Sequence, residues 1–219
     1  MTDCETQTTI PLIGQEAPVF HAASTQGEVK FPLDYKGKWV VLFSHPADFT
    51  PVCTTEFMGF QDKYADFKAV NTELIGYSVD GVHSHIEWVR NIKKNFDVEI
   101  EFPIVAGPQI AHLYGMLHDV DSTHTVRAVF VINPEGKIAA IMYYPLSNGR
   151  SIDEILRLVK ALQKTHDQGV ATPENWPNNK RLESDVIIPP ADSMEKASAN
   201  ESNADYKCYD WYLCTKKDS

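Results

Sequence analysis

The order of apolar runs predicts an α/β fold, a mixed central sheet flanked by helices with an extended C-terminal arm. Short β-rich runs alternate with stretches of helical period in the N-terminal half. Two further runs bracket a reverse-turn sequence, and a last amphipathic stretch closes the pattern.

The first clear run, "KWVVLFS" (38–44), has the continuous β-branched and aromatic character of a buried central strand. It leads into "HPADFTPVCTTEF" (45–57). Pro51 suits a first-turn position there, and Phe57, Phe60, Tyr64 and Phe67 make one apolar stripe at helical period. Cys53 therefore falls in an opening helical turn. "TELIGYSVD" (72–80) reads as a second strand, followed by a helix over "SHIEWVRNIKKNF" with Ile86, Val89 and Phe96 on its apolar face. "FPIVAG" (102–107) supplies a third strand, and Pro108 opens a helical segment through Tyr114. "VRAVFVI" and "KIAAIMYY" flank "NPEG", whose residues favour a reverse turn, so an antiparallel hairpin is expected. Ser151 and Glu154 then form a capping-box pattern ahead of Ile155, Leu158, Val159 and Leu162. Parallel strand–helix units, a hairpin and a final helix give the layout of thioredoxin-like domains, accounting for residues 1–166. Residues 167–219 are rich in Pro, Asn and Ser and show no sustained period, which predicts an arm rather than a second core. Tyr206, Tyr209, Trp211 and Tyr212 crowd its end, the composition of a segment ordered against something, another subunit included.

Thirty acidic residues against 20 basic ones give a net charge of −10, which disfavours nucleic acid or an anionic membrane as partner. The opening "MTDCETQTTIPLIGQ" lacks a basic and then apolar signal pattern, and no apolar run approaches the roughly 18 residues of a membrane span, so a cytoplasmic location is expected. Cys4, Cys53, Cys208 and Cys214 include no C-x-x-C pair of the zinc or dithiol type. In a reducing compartment a cysteine with a task is a redox one. No cofactor and no metal is expected.

A free cysteine is only a few per cent thiolate at neutral pH, and the thiolate is the nucleophile. A first-turn position supplies partial positive charge and amide donors. Arg127, alone among the apolar residues of its strand, is a candidate guanidinium for the sulfur; an arginine at a strand end that simply reaches solvent or bridges a carboxylate is the alternative. Arg150 is a second candidate, with an ordinary surface role as its alternative. Thr50 is placed to meet a substrate oxygen or to cap the helix. Pro46 and Pro51 shape a pocket wall or simply punctuate the turn. Glu56, one turn beyond Cys53, orients an arginine or lies on a solvated face.

These residues resemble the peroxiredoxin active-site loop, whose core is P-x-x-x-T-x-x-C. His45 and "TTE" are similar to the 1-Cys-type subfamily, most like archaeal and bacterial members with an additional C-terminal cysteine pair. The likeness continues through "VRAVFVINPEGKI", "YYPLSNGR", "SIDEILRLVKALQ" and "VATPENW", over residues 11–190. It implies a thiol-dependent peroxidase in which Cys53 attacks hydrogen peroxide or an organic hydroperoxide and becomes a sulfenic acid. Pro46, Thr50 and Arg127 match peroxide-binding positions, His45 a pocket histidine, and Glu56 and Arg150 supporting positions. By the same resemblance Cys214 resolves the sulfenic acid as an intersubunit disulfide and Cys208 is auxiliary; two apolar-like residues in an aromatic cluster are the alternative. The implied partners are a thiol reductant, thioredoxin-like or small, and a second subunit, with a decameric ring as the larger option. Cys4 has no motif around it. "LDYKGKW" lacks the serine of the G-x-S-x-G stretch that gives some relatives phospholipase activity, so none is expected. A peroxide sensor or redox-regulated chaperone-like oligomer is the competing reading.

Overall fold

The computed structural model describes residues 10–117 and 122–218; Cys4 lies outside them. The chain divides into two compact units, Met1–Asp153 and Glu154–Ser219. The long helix Ile152–Gln168 lies almost wholly in the second unit.

In the first unit, strands β1 (Phe20–Ser24), β2 (Gly27–Phe31), β3 (Trp39–Ser44), β4 (Thr72–Ser78), β5 (Ile104–Ala106), β6 (Arg127–Ile132) and β7 (Ile138–Tyr144) form one sheet in the order β2-β1-β5-β4-β3-β6-β7. β3 pairs in parallel with β4 and antiparallel with β6, so the sheet is mixed. Every residue of β3 and β6 is buried, as expected of central strands covered on both faces. Alternation along β3 serves two cores: Val40 and Leu42 join Phe20, Phe31, Tyr114 and Phe130, whereas Phe43 turns toward Phe57, Phe60 and Phe102. Asn133 to Gly136 turn the β6–β7 hairpin, with Gly136 at φ 81°. Helices α1 (Pro51–Asp62), α2 (Tyr64–Ala69), α3 (Val82–Phe96) and α4 (Gln109–Leu113) connect the strands.

Two local expectations are corrected. The aromatic stripe from Phe57 to Phe67 spans two helices, broken at Lys63, rather than one. On α3 the buried face is His85, Trp88 and Ile92, while Ile86 and Phe96 are exposed. Trp88 brings far more apolar area than Ile86 or Val89, and its face decides the helix rotation. The hairpin β1–β2 had no counterpart in the sequence reading.

The second unit holds α5 (Ile152–Gln168), β8 (Val186–Ile187), α6 (Met194–Ser202), β9 (Lys207–Asp210) and β10 (Leu213–Lys216). The residues read as an arm thus carry a three-stranded antiparallel sheet, β8-β10-β9, and a helix capped by Ser193, whose hydroxyl accepts from the Lys196 amide.

Candidate active site around Cys53

β3 ends at Ser44, and the buried residues His45 and Pro46 carry the chain out of the sheet. Thr50 is extended and serves as N-cap residue of α1, Pro51 takes the first helical position, and Cys53 follows in the first turn. The Thr50 hydroxyl donates to Ala47 O at 2.9 Å instead of capping the helix. Pro51 is exposed, yet Cys53 has no exposed surface at all.

Three charged side chains meet beside that sulfur. From the start of β6, Arg127 directs Nη1 to Cys53 Sγ at 3.3 Å and to Glu56 Oε2 at 2.6 Å. Its Nε and Nη2 both donate to Leu146 O, at 2.9 and 2.8 Å, which fixes the guanidinium plane. Arg150 forks onto the same carboxylate, Nε to Oε1 and Nη2 to Oε2, each at 2.8 Å, and its backbone amide also donates to Oε1. The remaining Arg150 nitrogen, Nη1, donates to Ser44 O and Ala128 O, tying it to both central strands. Arg127, Arg150 and Glu56 are 2%, 6% and 4% exposed, so surface roles for the arginines and a solvated face for Glu56 do not apply. Burial alone would raise the Glu56 pKa, but the hydrogen bonds and charge of Arg150, then the charge of Arg127, outweigh it and hold the carboxyl below its usual range. One carboxylate between two guanidiniums leaves a net positive charge, and a thiolate accepts from Arg127 more strongly than a thiol would.

A second buried cluster flanks α1. Asp48 takes His45 Nε2 at 2.8 Å and His85 Nδ1 at 2.8 Å. Burial opposes ionisation of Asp48, but the two ring hydrogen bonds outweigh it and push its pKa far down. An ionised Asp48 only accepts, so each of those ring nitrogens carries the proton. Burial lowers the His45 pKa, Asp48 pulling the other way, and the neutral ring is left with a bare Nδ1 that has no partner among the described residues. The His45 ring lies between Phe57 and Trp88, with centroids at 4.8 and 4.9 Å, and the Trp88 indole donates to Thr54 Oγ1, next to Cys53. His45, Asp48 and His85 are also the described group whose ligand atoms, all within 4.8 Å of one another, have the donor set for a metal ion. Asp48 accepts from both rings, which by itself accounts for that closeness. Sequence reasoning found His45 but missed Asp48 and His85, although Asp48 stands inside the loop it singled out.

In the second unit Cys208 and Cys214 face each other across β9 and β10 and are bonded in a disulfide. Cys53 is the free cysteine of the described residues. Cys214 is thus paired with its own chain's Cys208 in this structure, rather than waiting as a free thiol.

Residues 13–141 match the AhpC/TSA family, and residues 161–203 match the C-terminal domain of 1-Cys peroxiredoxin. The chain belongs to the peroxiredoxins. A peroxiredoxin of Thermotoga maritima is 53% identical over 210 residues, covering 95% of this chain and 98% of that one. One of Archaeoglobus fulgidus is 51% identical, covering 94% and 99%. Among solved structures, the yeast mitochondrial 1-Cys peroxiredoxin superposes with a TM-score of 0.83 at 40% identity, covering 95% of this chain and 100% of that one. Peroxiredoxin 6 of Arenicola marina gives 0.79 at 34%, covering 94% and 98%. This peroxiredoxin has the thioredoxin fold of its family and is a thiol-dependent peroxidase of the 1-Cys type, with a C-terminal cysteine pair. Its substrate is a peroxide and its reductant a thiol. No helix among the described residues is long and apolar enough to cross a membrane.

Proposed function

We propose that Cys53 is the nucleophile, that Pro46, Thr50 and Arg127 hold the peroxide, and that His45 lines the pocket. Glu56 and Arg150 set Arg127 in place. The observation that carries this reading is the 3.3 Å approach of Arg127 Nη1 to a sulfur closed to solvent, with the same nitrogen anchored on Glu56. The thiolate attacks the terminal oxygen of hydrogen peroxide or an organic hydroperoxide. An S–O bond forms, the O–O bond breaks, and the departing oxygen takes a proton to leave as water or alcohol. Arg127 is placed to stabilise the charge that develops on those oxygens, the effect that usually dominates such a rate.

The resulting sulfenic acid condenses with Cys214 of a partner subunit, losing water to form a disulfide. The Cys208 thiolate then attacks the Cys214 sulfur, frees Cys53 as a thiol, and leaves the Cys208–Cys214 bond present here. Electrons return from a thioredoxin-like protein or a small thiol; the yeast mitochondrial relative works with glutathione/thioredoxin systems. Residues 1–166 act as the peroxidase domain and 167–219 as a dimerisation region of a cytoplasmic homodimer, with a decameric ring as the larger assembly.

The test is peroxide consumption with dithiothreitol, together with non-reducing mass spectrometry after one equivalent of peroxide. The wild type should consume many equivalents per subunit and show Cys53 oxidised or joined to Cys214, and Cys53→Ser should consume none. A wild type that stalls after one equivalent is a sensor. Activity retained in Cys53→Ser moves the chemistry to another thiol.

A further inference from the structure

β3 and β6 stop pairing strand to strand just where the charged cluster begins. Their register runs from Val40 opposite Ile132 to Phe43 opposite Val129, and beyond it side chains join the two strands. The Ser44 hydroxyl donates to Val126 O at 2.5 Å and accepts from the Ala128 amide at 3.0 Å, while Arg150 Nη1 donates to the carbonyls of Ser44 and Ala128. Val126 O and Ala128 N belong to the two peptide groups on either side of the Arg127 Cα, so one hydroxyl holds both. A second hydroxyl reaches back the other way: Thr125 Oγ1 donates to His45 O at 2.6 Å. Ser44 and Thr125 are wholly buried, and a hydroxyl removed there leaves its backbone partners without water to replace it.

Resting on the reading of Arg127 as the guanidinium that holds the peroxide, we propose that Ser44 and Thr125 are positioning residues for the peroxide reaction, setting where Arg127 stands relative to Cys53. The guanidinium has two sets of anchors. Glu56 Oε2 and Leu146 O fix its head, whereas the two hydroxyls fix its root in the backbone. Across the sheet Arg127 also pairs with Tyr144 of β7, but that bond ties it to the far neighbour and not to β3, the strand that leads into the Cys53 helix. The two hydroxyls supply the missing tie on that side. A small turn of the Arg127 Cα is magnified along the side chain to Nη1, which stands 3.3 Å from the sulfur. Displacing a reacting group by about 1 Å costs on the order of 100-fold in rate. Ser44 and Thr125 act through Arg127 and need no contact with the substrate.

The test is the second-order rate at which the reduced full-length protein reacts with hydrogen peroxide, followed by stopped-flow fluorescence. Ser44→Ala and Thr125→Val each remove one hydroxyl and should slow the wild type about tenfold. In an Arg127→Met background no guanidinium is left to place, and the same changes should slow the reaction less than about twofold. Thr125→Ser keeps the hydroxyl and should stay within about threefold of wild type. If Ser44→Ala does not fold by circular dichroism, Thr125→Val runs the same cycle with a side chain of unchanged shape. Equal slowing in both backgrounds, wild-type rates in the folded variants, or a Thr125→Ser as slow as Thr125→Val each overturns the positioning role while that of Arg127 stands. An Arg127→Met protein that reacts as fast as wild type overturns the peroxide-binding reading itself, and this proposal with it.

Discussion

Glu56 is the residue on which the charged cluster turns, since among the described residues it alone takes hydrogen bonds from both Arg127 and Arg150. Glu56→Gln keeps the shape but leaves two buried guanidiniums facing a neutral amide, and should cost about 3–5 kcal/mol of stability by chemical denaturation. A smaller loss than about 1 kcal/mol would mean that solvent already screens the cluster. Arg127→Met removes the donor at the sulfur without touching Arg150. It should slow the second-order reaction with peroxide at least about 100-fold by stopped-flow fluorescence, with the fold intact by circular dichroism. A rate within a factor of three of wild type would sever the guanidinium from the chemistry. Arg127 stood out in the sequence because a lone charge among apolar strand residues needs a partner. The depth of Arg150 and Glu56 did not, because Arg150 sits among Asn148, Gly149 and Ser151, Glu56 follows two threonines, and their partners come from other elements. The His85–Asp48 link, 37 residues apart in the chain, is equally a product of tertiary structure.

At the scale of elements, the contact between β4 and α1 sets the position of Cys53's helix. Gly76 in β4 lies so close to the Phe57 ring that an added Cβ would stand 2.9 Å from its Cε1 and Cζ. Phe57 has no room to yield, packed against Phe43, Trp88, Phe102 and the His45 ring. Gly76→Ala should therefore cost about 1–3 kcal/mol and displace the helix carrying Cys53, lowering thermal stability and peroxide reactivity together. Full reactivity with an unchanged melting temperature would show that the ring relaxes freely. The strand β3, the start of α1 and the β6–β7 turn were all legible, since each is marked by local residue types. The β1–β2 hairpin was not, though Phe20, Ala22, Val29 and Phe31 alternate inward around Gly27 at φ 103°. Those runs are short and mixed with polar residues, and a strand's burial there depends on neighbours the sequence does not name. The same limit applied to α3, where Trp88 and Ile92 outweighed Ile86 and Phe96.

For the whole molecule, buried ionisable groups predict a one-sided pH response. Burial holds the His45 pKa below the ordinary 6.5, so the unfolded chain takes up a proton there that the folded one refuses, and stability falls as pH drops below about 6.5. Glu56 and Asp48 are held below their ordinary 4.5 and 3.8 despite the opposing effect of burial. Their stabilisation is complete above those values and is lost as pH falls further toward their folded pKa values. Melting temperature should thus decline from pH 7 to 5.5 and more steeply below 4.5 in scanning calorimetry. A flat profile between pH 7 and 4 would contradict the burial of all three. The second unit was the least legible part, because its three-stranded sheet is built from strands of two to four residues, too short to show a period.

Cys53 has no surface open to water. On the role proposed for Cys53, a molecule of two oxygens needs only a narrow opening to reach the sulfur, whereas a second cysteine must arrive with its own backbone behind it. Oxidation and recovery would then be timed by different barriers: the first by how fast a small solute slips in, the second by how often the sulfur comes within reach of another length of chain.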